Sequence, residues 1–420
     1  MPSSIAVSDL KVGMFIKLEL GWMSHPFPLS SFRIASAEQV STLRALGLRE
    51  VQWFPERSDP QLFAPELHDS PAPIVVLPSP EEQAAQRRRA RLAEQRAGLR
   101  RCEAQHAEAT EQLRRAFSMA AADPRNAAGQ ARELTSAMLD KMLVDGEMCI
   151  RMLSTQAGDK AAAHALNVSV IVLLLGRSLG MSREDLMDLG TGALLHDVGK
   201  LDLPTRVHHP EEGFSHAELK AYRDHVSLGV ARGRQMQLSP AALQVLAQHH
   251  ELADGSGFPQ RLPLDALSPL ARMVALVNRY DNLCNPGPRG TACTPHEAVS
   301  VLFSQSRGKF DMPLLSGFIR MMGVYPAGSV VQLTDDRYAL VDQVNSSRPL
   351  KPRVLVHDPK VPRDEALVLD LEQCGDLGIR RSMAPGQLPP EALAYLAPRP
   401  RVSYYFDAVP QPDDAVEALD

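Results

Sequence analysis

The sequence predicts a mainly α-helical protein, in which a helical bundle follows a small α+β module and precedes a short β-rich segment. Three patterns lead to this prediction. Helix-capping signals are closely spaced over residues 159–322, and residues 81–122 are rich in Glu, Gln, Ala and Arg. After Tyr325 the apolar residues instead come in short alternating runs. The first two patterns are typical of helices, and the third is typical of strands.

The composition is that of an ordinary globular protein long enough for two or three domains. Of the 420 residues, 44% are hydrophobic and 23% are charged, and the net charge of −5 favours neither nucleic acid nor an anionic membrane as a partner. The N-terminus lacks the pattern of a signal peptide, and the longest apolar run, Ala165 to Leu175, is too short to span a bilayer. We therefore expect a cytoplasmic protein with no membrane partner.

The cysteines argue against two kinds of site. Their number is odd and no two are close in sequence: Cys102, Cys149, Cys284, Cys293 and Cys374. This pattern is unlike a disulfide framework and unlike a thiolate zinc site, and it favours a reducing compartment.

Residues 1–54 are predicted to form the small α+β module. A helical segment follows Ser36 and ends at Gly47, a typical capping position, and short apolar stretches (VGMFIKLEL and VQWF) lie on either side of it. Residues 55–80 contain seven prolines and are predicted to be a linker.

Residues 81–154 are predicted to be connecting helices. The first of them, over residues 81–122, carries seven arginines between positions 87 and 101, and a basic helix can bind nucleic acid or an anionic membrane. Glutamates interleave with these arginines, however, and no aromatic residue occurs before Phe117. We therefore expect a solvent-exposed helix that spaces domains or joins two subunits as a homodimer, and we expect no nucleic acid partner.

Residues 155–325 are predicted to form a bundle of about six helices. Residues suited to capping mark the helix starts: Asp159, Ser182, Ser215 with Glu218 in the spacing of a capping box, Ser239 before Pro240, and Ser268 before Pro269. Residues 326–420 contain alternating runs such as YALVDQV and are predicted to be a β-rich appendage.

Histidines are concentrated in the bundle, where eight of the thirteen lie between His164 and His250. Adjacent helical residues point about 100° apart. The two members of the pair His196-Asp197, or of the pair His249-His250, therefore cannot both face an apolar core without cost. They can both face a pocket that contains cations, since imidazole and carboxylate groups suit iron, manganese or zinc. His225 and Asp281 lie on other helices of the same region. His208-His209, in a loop beside Pro210, is interpreted as a chance pair.

Several motifs resemble a known family. LLHDVGK resembles the signature of the HD superfamily of metal-dependent phosphohydrolases, and the order of the His and Asp residues is similar to that of the HD-GYP subfamily, whose members cleave cyclic di-GMP. QHHELADGSGFP (248–259) resembles the motif that names the subfamily, with Phe258 in the usual place of tyrosine. VNRYDNL (277–283) resembles the helix that carries the last metal-binding aspartate. Residues 10–34 resemble the small domain that often precedes HD-GYP domains.

The resemblance implies a site for two divalent transition-metal ions, with iron or manganese expected. One ion would be bound by His164, His196, Asp197 and Asp281, and the other by Asp197, His225, His249 and His250, so that Asp197 would bridge them. Lys200 would act with Asp197 in catalysis by placing its ammonium on a phosphate oxygen. Gly255, Gly257 and Arg289 would contribute to substrate binding. Lys160 stands where some members carry the glutamate for a third metal, so two ions are expected.

The segment after Asp281 departs from the family. Members usually have an Arg-Pro-Tyr-Arg-like segment there, whose cations hold the phosphates, whereas this chain has CNPGPRG (284–290). Gly287 and Gly290 occupy the arginine positions, and Asn278 replaces a common aspartate. Each lost arginine removes a charge-assisted contact with a phosphate. The metal site is therefore expected to be complete and the substrate grip to be altered.

Three functions are compatible with these features. The first is a phosphodiesterase that hydrolyses cyclic di-GMP to pGpG, with GMP as a further product to be tested. The second is a catalytically weak HD-GYP scaffold that binds a cyclic dinucleotide or a protein partner. The third is a hydrolase of another nucleotide or phosphate ester. The full set of metal ligands favours the first, and the missing arginines favour the other two.

Overall fold

The computed structural model describes residues 3–18, 25–27, 29–60, 79–144, 146–153, 159–210, 213–304, 308–346 and 348–408. The chain divides into two compact units, Met1–Arg87 and Arg88–Asp420. Most of the predicted proline-rich linker, residues 61–78, lies outside the described residues. The predicted mainly helical fold class is confirmed, and each unit is described separately below.

In its described residues before position 61, the first unit contains a four-stranded antiparallel sheet and one α-helix, as predicted for an α+β module. The strands are β1 (Ser3–Ala6), β2 (Phe15–Lys17), β3 (Ser31–Arg33) and β4 (Glu50–Trp53), in the order β1-β4-β2-β3. Helix α1 (Ala37–Ala45) begins as predicted, because the Ser36 side chain accepts a hydrogen bond from the amide of Gln39. Gly47 follows the helix with a φ of +71°, a conformation that favours glycine.

The second unit contains most of the helices. They are α2 (Pro80–Met119), α3 (Pro124–Met142), α4 (Lys160–Ser178), α5 (Arg183–Leu195), α6 (His216–Gln235), α7 (Pro240–Gln248), α8 (Pro269–Cys284), α9 (Pro295–Ser304), α10 (Met312–Met322) and α11 (Pro390–Leu396). Seven of these, α4 to α10, lie within residues 155–325, where about six were predicted.

Most of the predicted capping signals act as expected. Asp159, Ser182, Ser215 and Ser239 each accept a backbone hydrogen bond at the start of a helix, and Ser215 forms the predicted capping box with Glu218. Ser268 is the exception, because it precedes α8 but its side chain makes no capping hydrogen bond.

Helix α4 lies at the centre of the bundle, where it packs against α3, α5, α8 and α10. It is the one described helix that is long and apolar enough to cross a membrane, but most of its residues are buried within the protein. Burial on all sides explains its composition, since a helix surrounded by protein has no polar face.

Seven antiparallel strands form one sheet, in which one strand precedes the bundle in the sequence and six follow it. They are β5 (Met148–Met152), β6 (Val330–Leu333), β7 (Tyr338–Asn345), β8 (Arg353–Val356), β9 (Val368–Asp370), β10 (Ile379–Met383) and β11 (Tyr404–Ala408). Strand β5 pairs with both β7 and β11. The β-rich C-terminal segment is therefore confirmed, but the prediction of helices throughout residues 81–154 is wrong for residues 148–152. The long-range pairing of β5 explains the difference.

Helix α2 is only partly the solvent-exposed connector that the sequence predicts. Its second half buries small and apolar residues, including Cys102, Ala109 and Leu113. Gln95 holds the edge strand β9, because its amide nitrogen donates to the Val368 carbonyl at 2.9 Å and its amide oxygen accepts from the Val368 amide at 3.0 Å. The turn of α2 that contains Gln95 thus covers a sheet edge. The homodimer through residues 81–122 stays a prediction.

His106 of α2 should make the stability of the protein dependent on pH. Its side chain is 2% exposed beside Tyr405, and burial lowers its pKa from 6.5 to about 4. The unfolded chain therefore binds a proton below pH 6.5 that the folded protein excludes, so stability should fall as the pH falls from 6.5 towards 4. The loss attributable to His106 should be at most about 3 kcal/mol.

Denaturant unfolding of His106→Phe at pH 7.5 and pH 4.5 tests this prediction. The variant should lose less stability between the two values than the wild type. The exposed His216 gives the control, since His216→Phe should behave as the wild type does. Equal losses in wild type and His106→Phe would contradict the prediction.

Candidate metal centre and substrate cavity

The His196-Asp197 pair lies in a tight turn at the end of α5. Within this turn, a Cβ on Gly199 would come 2.0 Å from the His225 carbonyl oxygen and 2.4 Å from the Gly229 amide nitrogen of α6. Only glycine fits so close to another backbone. The turn therefore lies directly against α6, and this contact brings His225 to the Asp197 carboxylate.

Asp197 lies between two groups of histidines. Its Oδ2 is 3.5 Å from Nε2 of His196 and 3.8 Å from Nε2 of His164. Its Oδ1 is 3.5 Å from Nε2 of His225 and 3.7 Å from Nε2 of His249. His250 completes the second group, and within each group the candidate ligand atoms lie within 4.8 Å of one another. The two oxygens of one carboxylate thus face two sets of imidazoles, which is the arrangement predicted for a bridging ligand.

Backbone carbonyls orient three of these imidazoles. Nδ1 of His196 donates to the Ala193 carbonyl at 2.7 Å, and Nδ1 of His249 donates to the Leu246 carbonyl at 2.9 Å. Nδ1 of His225 contacts the Tyr222 carbonyl in the same way. A proton held on Nδ1 leaves the lone pair of Nε2 directed at the centre, as a metal ligand requires.

The charge states of the cluster also suit a cation. Burial lowers the pKa of His196 to about 3 and that of His225 to about 4, and it lowers the pKa of His250 well below 6.5, so these imidazoles are neutral at pH 7. Burial raises the pKa of Asp197, but the Lys200 ammonium and the surrounding imidazoles outweigh this effect and hold it well below 3.8. The cluster therefore combines one carboxylate with three imidazoles that are neutral at pH 7.

Three atoms of the cluster are buried without a hydrogen-bond partner in the described part of the chain: Nε2 of His164, Nε2 of His196 and Oδ1 of Asp197. Burial of such lone pairs is costly unless something binds them. All three are acceptors, and they converge, so a cation satisfies them where another acceptor would not. The residues fit a divalent metal ion, and His and Asp ligands suit a transition metal.

Asp281, which the sequence predicts as a direct ligand, lies in neither of the two groups. Its Oδ2 is instead 2.6 Å from Nδ1 of His164, and its Oδ1 accepts hydrogen bonds from Asn167 and Asn285. Asp281 thus contacts the predicted ligand His164, and direct metal binding by Asp281 stays a prediction. The other six predicted metal-binding residues are brought together.

The predicted catalytic lysine lies at the cluster, since Nζ of Lys200 is 2.7 Å from Oδ2 of Asp197. Lys200, His249 and His250 also line an open cavity of about 1020 Å³. The cluster is thus accessible to a substrate from this cavity.

The predicted substrate-binding residues have different positions. Gly257 and Arg289 line the cavity, whereas Gly255 forms a turn with a φ of +72° and does not line it. A Cβ on Gly257 would come 2.4 Å from the Leu252 amide nitrogen, so the loop beside the cavity requires glycine there.

Two residues of the site were missed in the sequence. The buried carboxylate of Glu251 accepts three hydrogen bonds from the amides of residues 260–262 and so holds the loop that carries Gly257. The Tyr222 hydroxyl lies 3.3 Å from Nε2 of His250 and beside the cavity. Both could have been predicted from their positions in the sequence, because Glu251 directly follows the histidine pair and Tyr222 lies one helical turn before His225.

The two glycines in the arginine positions are required by local packing. A Cβ on Gly287 would come 2.8 Å from Cβ of His209, and a Cβ on Gly290 would come 2.6 Å from Cβ of Pro286. Arginine cannot occupy either position unless these neighbours move. His208 and His209 themselves line the cavity, although the sequence offered no function for this pair. Asn278, in the usual place of aspartate, lines the cavity as well.

Helices that direct histidines and one aspartate at a shared buried centre define an HD-type metal-binding domain. The HD domain family matches residues 139–314, and a domain of unknown function, DUF3391, matches residues 3–131. The chain therefore carries an HD domain, and the HD-GYP resemblance seen in the sequence is confirmed. The DUF3391 match extends beyond the 1–54 module and includes α2.

Known relatives agree with this assignment. The chain is 27% identical to the cyclic di-GMP phosphodiesterase PA4108 of Pseudomonas aeruginosa over 383 residues, which are 89% of this chain and 90% of that protein. It is 28% identical to the cyclic di-GMP phosphodiesterase response regulator RpfG of Xanthomonas campestris over 38% of this chain and 43% of RpfG. It is 24% identical to the 3'3'-cGAMP-specific phosphodiesterase 3 of Vibrio cholerae over 39% of this chain and 36% of that protein.

Among solved structures, the HDG"Y"P protein Bd1817 from Bdellovibrio bacteriovorus is similar over 76% of this chain and 98% of that chain. The identity is 18% and the TM-score is 0.40.

Asp197→Ala should remove most of the bound divalent metal, because one carboxylate faces both groups of histidines. Elemental analysis of protein dialysed after loading with Mn²⁺ measures this loss. Asp202→Ala is the matched control, since Asp202 lies in the same turn but pairs with Arg232 outside the cluster. Full metal content in Asp197→Ala would contradict the assignment of the site.

Proposed function

We propose that the protein is a metal-dependent phosphodiesterase that hydrolyses cyclic di-GMP to pGpG. The observation that carries the proposal is the cavity of about 1020 Å³, which joins the His/Asp cluster and Lys200 to further cations on its wall. The similarity to PA4108 over most of both chains supports cyclic di-GMP as the substrate. Whether GMP is a further product is part of the same test. We place this activity in the cytoplasm.

We propose that the cluster holds two divalent ions, with iron or manganese as the metal. One would lie among His164, His196 and Asp197, and the other among Asp197 and the histidines of the second group, which are His225, His249 and His250. In such a site the ions supply positive charge to the phosphoryl oxygens and lower the pKa of water. Two groups of ligands and the presence of Lys160 in place of a third-site glutamate favour two ions over one or three.

The surrounding residues hold the substrate for this reaction. Lys200 lies between the cluster and the cavity, so its ammonium can bind an oxygen of the phosphate to be cleaved. The Phe258 ring stacks on His250 with ring centroids 4.5 Å apart, and it gives this wall of the cavity an aromatic surface. Glu251 fixes the loop that carries Phe258. This wall is therefore rigid and suited to a nucleobase or ribose.

A cyclic dinucleotide carries a second phosphate, which needs a cation of its own. Glycines occupy the positions where the family has arginines, but Arg279, Arg289 and Lys309 line the same cavity. Neither Arg279 nor Lys309 forms an ion pair of 4.0 Å or less within the described residues. We propose that these two side chains bind the second phosphate in place of the missing arginines.

A second candidate is a phosphodiesterase for a related cyclic dinucleotide. The rearranged wall around Gly287 and His209 favours it, since a different wall can select a different base. A scaffold without turnover is less well supported, because PA4108 and RpfG, to which the chain is similar, are named phosphodiesterases.

Turnover of cyclic di-GMP, 3'3'-cGAMP and cyclic di-AMP by the full-length protein loaded with Mn²⁺ or Fe²⁺ tests these alternatives. Cyclic di-GMP should give the highest kcat/KM, with pGpG as the first product in chromatography. Asp197→Ala should abolish the reaction. Preference for another dinucleotide would favour the second candidate, and binding without turnover would favour the scaffold.

Arg279→Ala and Lys309→Ala should each raise KM for cyclic di-GMP by about 10-fold to 100-fold with little change in kcat. The lost contact with a phosphate is worth about 1.5–3 kcal/mol and is made equally in the ground and transition states. Arg320→Ala, which removes an exposed arginine of α10 that does not line the cavity, is the control. Unchanged KM in both variants would show that the second phosphate is bound elsewhere.

A further inference from the structure

We propose that the C-terminal strand β11 is part of the metal centre. The backbone of residues 402–404 holds Asn167 and Asn285, these two amides hold Asp281, and Asp281 is thereby held against His164 at the metal centre. Asn167 and Asn285 are positioning residues in this scheme. The inference rests on metal binding by His164, which is part of the proposed function, but it does not depend on the identity of the substrate.

The inner half of this arrangement is the Asp281 carboxylate, which is held by three side chains. Oδ1 of Asp281 accepts a hydrogen bond from Nδ2 of Asn167 at 2.8 Å and another from Nδ2 of Asn285 at 3.0 Å. Its Oδ2 lies 2.6 Å from Nδ1 of His164. Asp281 is fully buried and Asn167 is 2% exposed. Because water does not reach Asp281, these side chains alone determine where it points.

The outer half consists of backbone atoms next to β11. The Val402 amide donates to Oδ1 of Asn285 at 2.9 Å, and the Val402 carbonyl accepts from Nδ2 of the same residue at 2.9 Å. The Tyr404 amide donates to Oδ1 of Asn167 at 2.9 Å, while the Val402 carbonyl accepts from Nδ2 of Asn167 at 3.0 Å. Tyr404, the first residue of β11, and Val402, two residues before it, thus bind both asparagines.

This pattern leaves each side-chain amide one orientation. A backbone N–H can only donate, so the atom that faces the Val402 or Tyr404 amide must be the oxygen of the asparagine. The NH2 group of each asparagine must then face the Val402 carbonyl and the Asp281 carboxylate. The strand backbone therefore directs two N–H donors at Oδ1 of Asp281, which leaves Oδ2 for His164.

The consequence for the metal centre follows from the position of His164. A proton on Nδ1 that is donated to Asp281 leaves the Nε2 lone pair directed at Asp197, 3.8 Å away. Loss of a carboxylate that orients a metal-binding histidine typically lowers metal affinity about 10-fold to 100-fold, and misplacing a carboxylate that also binds the ion weakens binding directly. Three other histidines of the cluster use a backbone carbonyl for this orientation, whereas His164 depends on Asp281 and hence on β11.

The match to the HD domain ends at residue 314, so the family resemblance did not place residues 402–404 near the site. A second contact joins the same elements, because the hydroxyls of Tyr280 and Tyr404 lie 2.9 Å apart. Strand β11 is therefore attached to α8 at the residue next to Asp281.

Titration of the metal-free full-length protein with Mn²⁺ alone, followed by the electron paramagnetic resonance of free Mn²⁺, tests the proposal. Asn285→Ala should weaken one of the two binding events about 10-fold to 100-fold and leave the other unchanged. Asn285→Asp keeps the shape of the side chain and the hydrogen bond from the Val402 amide. It should weaken the same event, because it replaces an N–H donor by an oxygen that repels Asp281.

Gln95→Ala is the matched control. Gln95 binds the Val368 backbone with the same two hydrogen bonds that Asn285 forms with Val402, and it does so on the same sheet but away from the cluster. Its loss should lower the thermal midpoint and leave both Mn²⁺ affinities unchanged. Unchanged affinities in a folded Asn285→Ala and Asn285→Asp would overturn the proposal, as would an equal loss of affinity in Gln95→Ala.

A measurement on the wild type covers the case in which the Asn285 variants do not fold. Since the coupling is reciprocal, Mn²⁺ should slow hydrogen exchange of the Val402 and Tyr404 amides. Slower exchange confined to residues around 196–200 and 249–258 would overturn the proposal. Neither experiment needs turnover, so a protein that binds Mn²⁺ in this way but does not cleave cyclic di-GMP would disprove the proposed function and leave this inference intact.

Discussion

The Asp197 carboxylate, with an oxygen directed at each group of imidazoles, is the interaction on which the rest of the site depends. Four helices supply the residues of the two groups, and their approach is close enough that Gly199 must lack a side chain. The converging lone pairs are unfavourable when nothing binds them, since each is withdrawn from water without a donor in return. A bound cation reverses the sign of this contribution. Metal binding and folding of the bundle are therefore coupled, because an ion that binds only the folded state stabilises it.

Many of the helix starts and metal-binding residues could be predicted from the sequence because their signals are local. A capping serine acts within one helical turn, so the starts of α5, α6 and α7 are visible in a few residues. The metal-binding residues were found because adjacent His and Asp residues have few other uses in a buried helix. Ser268 shows the limit of such signals, since a suitable residue in the right place still makes no capping bond.

The features that were not predicted depend on contacts between residues distant in sequence. Strand β5 has no local pattern that distinguishes it from a helix end, and it becomes a strand because β7 and β11 pair with it. Asp281 was predicted as a metal ligand from its place in a motif, but Asn167 and Asn285, which hold its carboxylate, were not predicted. The same holds for Gly287, whose close contact with His209 joins two loops that are far apart in the chain.

At the glycines after Asp281, the surrounding loops pack too closely for a longer side chain. If arginine had merely been lost from an open wall, a Cβ at position 287 would meet solvent. It would instead meet His209, so the two loops have closed over the space that a longer side chain needs. Apart from Lys200, the cations on the cavity wall are Arg279 of α8, Arg289 in the segment after α8, and Lys309 in the segment before α10. Charge for a second phosphate is thus retained, but it is carried by other elements.

Strand β11 contacts α2 on one side and the asparagines that hold Asp281 on the other. The second set of contacts could not be predicted from the sequence. On one side α2 contacts it, where Sγ of Cys102 lies 3.5 Å from Asp407 and His106 lies against Tyr405. On the other side Val402 and Tyr404 bind the asparagines that support Asp281. The latter contacts use amide and carbonyl groups, which every residue except proline possesses. The side chains at 402 and 404 can therefore vary while the strand continues to hold Asp281, and only the three-dimensional structure reveals that it does so.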